Sequence, residues 1–91
     1  MPVNPLFSLG QVVATPLALK SVPPDLLLVW LQRHQIGDWG SVGEADWASN
    51  DQALKDGSRL LSAYLTPDGS KVWIITEWDR SVTTVLLPEE Y

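Results

Sequence analysis

The chain has 91 residues, and its eleven Asp and Glu against six Lys and Arg give a formal charge of −5 and a pI near 4.5. That length supports one modest core and one domain. The acidic balance argues against a strong non-specific grip on nucleic acid, which needs clustered cations. Cysteine is absent, which excludes disulfides, thiolate metal sites and thiol nucleophiles and suits a reducing cytoplasm.

Met1-Pro2-Val3-Asn4 opens the chain without a basic stretch or a long apolar run, so neither a signal peptide nor a membrane span is expected. Residues 1 to 11 are proline-punctuated and partly apolar (Leu6, Phe7, Leu9), which points to an arm laid over the core. Gln11 to Ala14 fits a short strand. Thr15-Pro16 supplies an N-cap and a first-turn proline, so a short helical turn runs from Pro16 to about Lys20. Pro23 and Pro24 stop it.

Pro24 to Gln35 reads as the first substantial helix. Leu26 to Leu31 are consecutively apolar, which predicts that it is the central buried helix. Gly37 is placed to end it in a left-handed cap, and Gly37-Asp38-Trp39-Gly40 has the composition of a tight loop pinned by an aromatic anchor. Ser41-Val42-Gly43-Glu44 fits a capping box, opening a second helix from about Val42 to Lys55 that stops at Gly57. Trp47, Asn50, Asp51 and Leu54 share one side of it, so Asn50 is expected to face the core and to tie the helix to a neighbouring segment.

The stretch from Arg59 to Leu87 organises the rest. It reads as three strands in an antiparallel meander, interrupted at Pro67-Asp68-Gly69 and Asp79-Arg80. A three-residue loop with Gly69 left-handed pairs Leu65 with Lys71 and sets Arg59 opposite Glu77 as a cross-strand ion pair. A two-residue Asp79-Arg80 turn pairs Trp78 with Ser81 and Thr76 with Thr83. The alternation then divides the side chains. Leu61, Ala63, Leu65, Trp73, Ile75, Val82 and Leu86, with Arg59, Glu77 and Thr84, form the face expected under the helices. Leu60, Ser62, Tyr64, Val72, Ile74, Thr76, Trp78, Ser81, Thr83, Val85 and Leu87 form a mixed face whose hydroxyls lie near one another. The expected fold is therefore α+β, two main helices packed on a three- to four-stranded antiparallel β-meander. Residues 1–22 form the arm and short helix, 23–57 the helical half and 58–88 the meander.

His34 is the only histidine, so no ordinary zinc site can form. Asp38, Glu44, Asp46 and Asp51 follow no metal-binding spacing, and neither a phosphate loop nor a nucleophile elbow is present. No cofactor or metal is expected. What remains are proton-transfer and anion-binding types: His34, Arg59, Tyr64, Thr76, Glu77, Arg80, Thr83 and Thr84. Metal-independent RNA cleavage needs little more than a base, an acid and donors to the phosphate. Each residue also has a plain structural reading: His34 as a helix cap, Arg59 and Glu77 as a strand pair, and the Thr residues as strand formers.

The segments LGQVVATPLAL, RHQIGDWG and RLLSAYLTPDGSKVWIITEWDRSVTTVLLPEEY resemble a widespread group of small uncharacterised proteins of bacterial plasmids and integrated elements, over Leu9 to Tyr91. GDWG and TEWDRSVTT are the most specific parts. The resemblance implies a mobile-element setting and no particular activity. More distantly, helices followed by a meander, with a His before the sheet and Arg, Thr and Glu on it, are similar in architecture to the barnase, EndoU and RelE-like ribonucleases. That likeness implies His34, Arg59, Glu77 and Thr83 as catalytic candidates, although the chain is acidic where RelE-like toxins are basic.

Three readings follow. The favoured one is a small cytoplasmic binding protein, an inhibitor or adaptor, that offers acidic surface to a basic, nucleic-acid-binding protein partner. Its face would include Asp38, Glu44, Asp46, Asp51, Asp56, Glu89 and Glu90, with Trp39, Tyr64, Trp78 and Arg80 as further contact candidates. The second is the ribonuclease, which requires His34 and Arg59 to share an open pocket. The third is an oligomeric module, a homodimer through an exposed apolar sheet face around Val72, Ile74, Trp78 and Val85.

Overall fold

The computed structural model describes residues 4–91. Its elements are strand β1 (Gln11–Ala14), helices α1 (Pro16–Ser21), α2 (Pro24–Gln35) and α3 (Glu44–Asp56), strands β2 (Leu60–Leu65), β3 (Lys71–Thr76) and β4 (Val82–Leu86), and a 3-10 turn over Pro88–Glu90. The architecture is α+β. The sheet is mixed, however, in the order β1-β4-β3-β2. β1 runs parallel to β4 along Gln11↔Val82 to Ala14↔Val85, so the purely antiparallel meander is corrected by one added edge strand. No described helix is long and apolar enough to cross a membrane.

Local chemistry sets most boundaries. Thr15 Oγ1 accepts from the Ala18 N–H and Pro16 stands at the first helical position. α2 ends at Gly37, whose φ is 83°. α3 ends at Gly57, φ 78°, with the Gly57 N–H donating to Ala53 O. The capping box does not form. α3 begins at Glu44 with Gly43 as a cap that lacks a side-chain bond, because the Ser41 N–H donates to Ala63 O on the outer edge of β2 at 2.6 Å. That docking needs Gly40: its φ is 76°, and a Cβ there would run into Ala63 O and the Tyr64 ring.

The hairpin registers are those expected. Leu65 faces Lys71 and Leu60 faces Thr76, with Gly69 left-handed at φ 88°; Thr76 faces Thr83. The second reversal is longer than two residues. The Arg80 N–H donates to Glu77 O and the Glu77 N–H to Val82 O, so Trp78 and Ser81 lie in the loop, outside the ladder. Arg80 itself is left-handed at φ 60°, a conformation costing about 1 kcal/mol or more outside glycine. Its guanidinium offsets that cost by donating to Ser58 O, Glu77 O and Ala53 O, the last at the carboxyl end of α3, where positive charge is favourable.

The helices cover the opposite face of the sheet from the one expected. Ala18, Val22 and Trp30 pack with Tyr64, Val72, Ile74 and Val85, and Trp39, Ala53 and Leu60 form a second cluster with Phe7, Val42 and Leu54 against it. The physical reason is that this mixed face carries hydroxyls whose partner, His34, comes from α2. The other face buries Ala63, Ile75 and Leu86 but keeps Leu65 exposed and Trp73 half-buried, and Tyr91 turns back edge-on to Trp73 at 5.7 Å. Val72, Ile74 and Val85 are thus fully buried, so they cannot form the dimer surface that the third reading placed there. α2 is not a buried central helix either: only Trp30 and His34 are buried along it.

Candidate functional site

Two places gather the chemistry-bearing residues. The first is inside. Trp30 and His34 stand one turn apart on the sheet-facing side of α2, and the His34 ring lies over β2 and β3. Its Nδ1 lies 2.5 Å from Ser62 Oγ and its Nε2 2.9 Å from Thr76 Oγ1. Thr76 Oγ1 lies 2.7 Å from Thr83 Oγ1, and the Thr83 hydroxyl donates to the Leu9 carbonyl at 2.7 Å.

The direction of the protons from Nε2 onward follows from the last member of this chain. A carbonyl only accepts, so the single Thr83 proton points at Leu9 and Thr83 must accept from Thr76. Thr76 has then used its proton and must accept from Nε2–H. Nε2 accordingly carries a proton, and in a neutral ring Nδ1 then accepts from the Ser62 hydroxyl. Burial, and secondarily the charge of Arg80, lower the imidazole pKa to about 3, which agrees with a neutral ring. Phe7 stands edge-on to His34 at 5.1 Å, and Trp39 does so at 5.5 Å. The arm is held there by the Leu6 N–H to Gln35 O and by Gln35 Nε2 to Phe7 O. The arrangement polarises Ser62, but Ser62, Thr76, Thr83 and His34 are all 0% exposed, and every donor and acceptor has a use within the fold.

The four ribonuclease candidates are not brought together. His34 and Thr83 meet through Thr76. Arg59 donates to the Tyr91 hydroxyl at 2.5 Å, with its guanidinium 5.4 Å from that ring, and Glu77 is not its ion partner. Among the described residues the ion pair is Arg33–Asp38, at 2.8 Å. It is bidentate and holds the Asp38 carboxyl below the usual carboxylate range.

Other binding candidates serve the loop after α2. Trp39 is fully buried and donates its indole N–H to Asp51 at 3.0 Å. Tyr64 stacks on Trp30 at 5.3 Å, lies under Arg33, and donates to Asp38 O; burial pushes its phenol up to about 12. Asn50, as expected, ties α3 inward, giving to Leu61 O and accepting from Leu61 N. Its amide thereby replaces a strand partner at the open edge of β2.

The second place is the outside of α3. Glu44, Asp46, Asp51 and Asp56 are exposed on it, with Lys55 as its one cation, and Trp47 is 36% exposed among them. Glu44 and Asp46 occupy the first turn, where the helix dipole favours them. Arg80 fastens the β3–β4 loop to the far end of α3, so Trp78, 67% exposed, and Asp79 sit beside it. The seven-carboxylate face does not form as one surface. Asp38 is spent on Arg33, Asp51 accepts from the Trp39 indole, and Glu90 accepts from Thr15 beyond β1.

Sequence reasoning missed the roles of Ser62 and Thr76. The available signal was the one-turn spacing of Trp30 and His34 together with three hydroxyls on one sheet face. Among the described residues no group of three or more His, Asp or Glu side chains could hold a metal ion. Comparison with protein-family models, curated proteins and solved structures finds no match.

Proposed function

We propose that this chain is a binding protein that offers α3 and the adjoining β3–β4 loop to a basic protein partner. The observation that carries this reading is the exposed Trp47 with Glu44 and Asp46 on either side of it in the first turn of α3, and the exposed Trp78 and Asp79 on the loop fastened to the far end of that helix. Exposed aromatics act as anchors in protein interfaces, and a single-signed field steers an oppositely charged partner. A nucleic-acid-binding protein has the complementary charge. The resemblance to small proteins of plasmids and integrated elements would set such a partner in the maintenance or defence of those elements, in the bacterial cytoplasm.

The test is capture of partners from cell lysate by the tagged chain, by the Glu44→Lys/Asp46→Lys variant and by Trp78→Ala. A basic protein retained in stoichiometric amount by the wild type, released by added salt and lost with the charge-reversed helix is the expected result. Equal capture by all three would contradict the reading. Shortened RNA, absent with His34→Ala, would replace it with the ribonuclease.

A further inference from the structure

α2 has a second side that no described element covers. Leu28 is 60% and Val29 48% exposed, and Ile36 is exposed as well. At about 100° per residue Asp25, Val29, Gln32 and Ile36 fall in one stripe about 60° wide, bordered by Leu28. Their spacing of four, three and four is that of a seam between two helices. Leu6, 57% exposed, adjoins its far end, where its N–H is bonded to the Gln35 carbonyl.

We propose that this stripe is a two-fold contact between two copies of the chain, with α2 packed antiparallel on α2 about Val29. A second copy is the occupant whose charges match. Asp25 lies in the first turn of α2 and Arg33 in the last, each four residues from Val29, so an antiparallel pair sets Asp25 of each copy beside Arg33 of the other. Arg33 binds Asp38 through Nε and Nη2, which leaves the Nη1 donors for a further carboxylate. The two helix dipoles then oppose. Leu6, beside the end of α2, adds apolar area next to Ile36 of its own copy. The surface is at the small end for a specific interface, so a dissociation constant on the order of 10 μM is expected. This contact uses α2 and stands apart from the α3 surface.

Because the chain contains no cysteine, a thiol introduced at one position reports its own neighbour. Val29→Cys, on the axis, is expected to give a covalent dimer in oxidising buffer, whereas Leu65→Cys at the exposed end of β2 stays monomeric. Sedimentation equilibrium from about 1 to about 200 μM is expected to show wild-type dimer, weakened at least about tenfold in Asp25→Arg with an unchanged thermal midpoint at low concentration. A chain that remains monomeric throughout, leaving the stripe to some other protein, overturns the proposal. Cross-linking through Leu65→Cys in place of Val29→Cys, or an Asp25→Arg variant that dimerises as tightly as wild type, does so too.

Discussion

The two ends of the covered sheet face are built on opposite principles from the same three strands. Toward α1, Tyr64, Val72, Ile74 and Val85 meet Ala18, Val22 and Trp30, and the contact is apolar apart from the Tyr64 hydroxyl. Toward the arm, Ser62, Thr76 and Thr83 meet His34 in a continuous hydrogen-bonded chain. The apolar end gains stability from area removed from water, which is tolerant of geometry. The polar end gains little net energy from its bonds, but it fixes one ring orientation, one tautomer and the position of the arm at Leu9. Buried polar groups of this kind hold only as a complete set.

The largest expected effect breaks the apolar end. Trp30→Ala empties the site stacked on Tyr64 and should lower unfolding free energy by about 3–5 kcal/mol, measured by urea denaturation, with no change in its pH dependence. Thr76→Val breaks the polar end. It leaves the Nε2–H of His34 without an acceptor and Thr83 without a donor, at a cost of about 1–3 kcal/mol.

Acid sharpens the contrast. The imidazole titrates near 6.5 when unfolded and near 3 in the fold, so between those values the unfolded chain binds the extra proton. Stability contributed by the neutral ring is complete above about pH 6.5 and is lost as pH falls toward 3, at roughly 1 kcal/mol per pH unit. His34→Gln should flatten that limb. It should leave the loss below the ordinary carboxylate range, where Asp38, whose carboxyl is depressed by Arg33, becomes protonated. The smallest effect is at Glu77: with Arg59 bound to Tyr91, Glu77→Gln should change stability by less than about 0.5 kcal/mol.

Local signals made much of the fold legible. Pro67-Asp68-Gly69 determined the first hairpin register, Thr15-Pro16 opened α1, and Gly37 and Gly57 closed the two longer helices, each because a cap or turn depends on a few adjacent residues. The side of the sheet that is covered was not legible. Ser62, Thr76 and Thr83 read as solvent-facing by alternation, and the group that reverses this sits on another element 28 residues from Ser62. The same distance dependence hid the parallel pairing of β1, too short to declare a partner, and the diversion of Ser41 from a helix cap to the edge of β2. On the surface, the acidic character of α3 was readable from composition, but Asp38, Asp51 and Glu90 had to be seen beside Arg33, Trp39 and Thr15 to be removed from the acidic face.

The central claim is that His34 is a neutral structural ring and that function lies on the outer surfaces. A long-range ¹H–¹⁵N NMR titration tests it directly, since the one histidine gives one pair of ring nitrogens. The expected result is the Nε2–H tautomer, unchanged from pH 8 to about pH 5, until acid unfolds the chain. A ring that titrates near 6.5 in the folded protein, or that carries its proton on Nδ1, would contradict the hydrogen-bonded chain and restore His34 as an accessible acid or base.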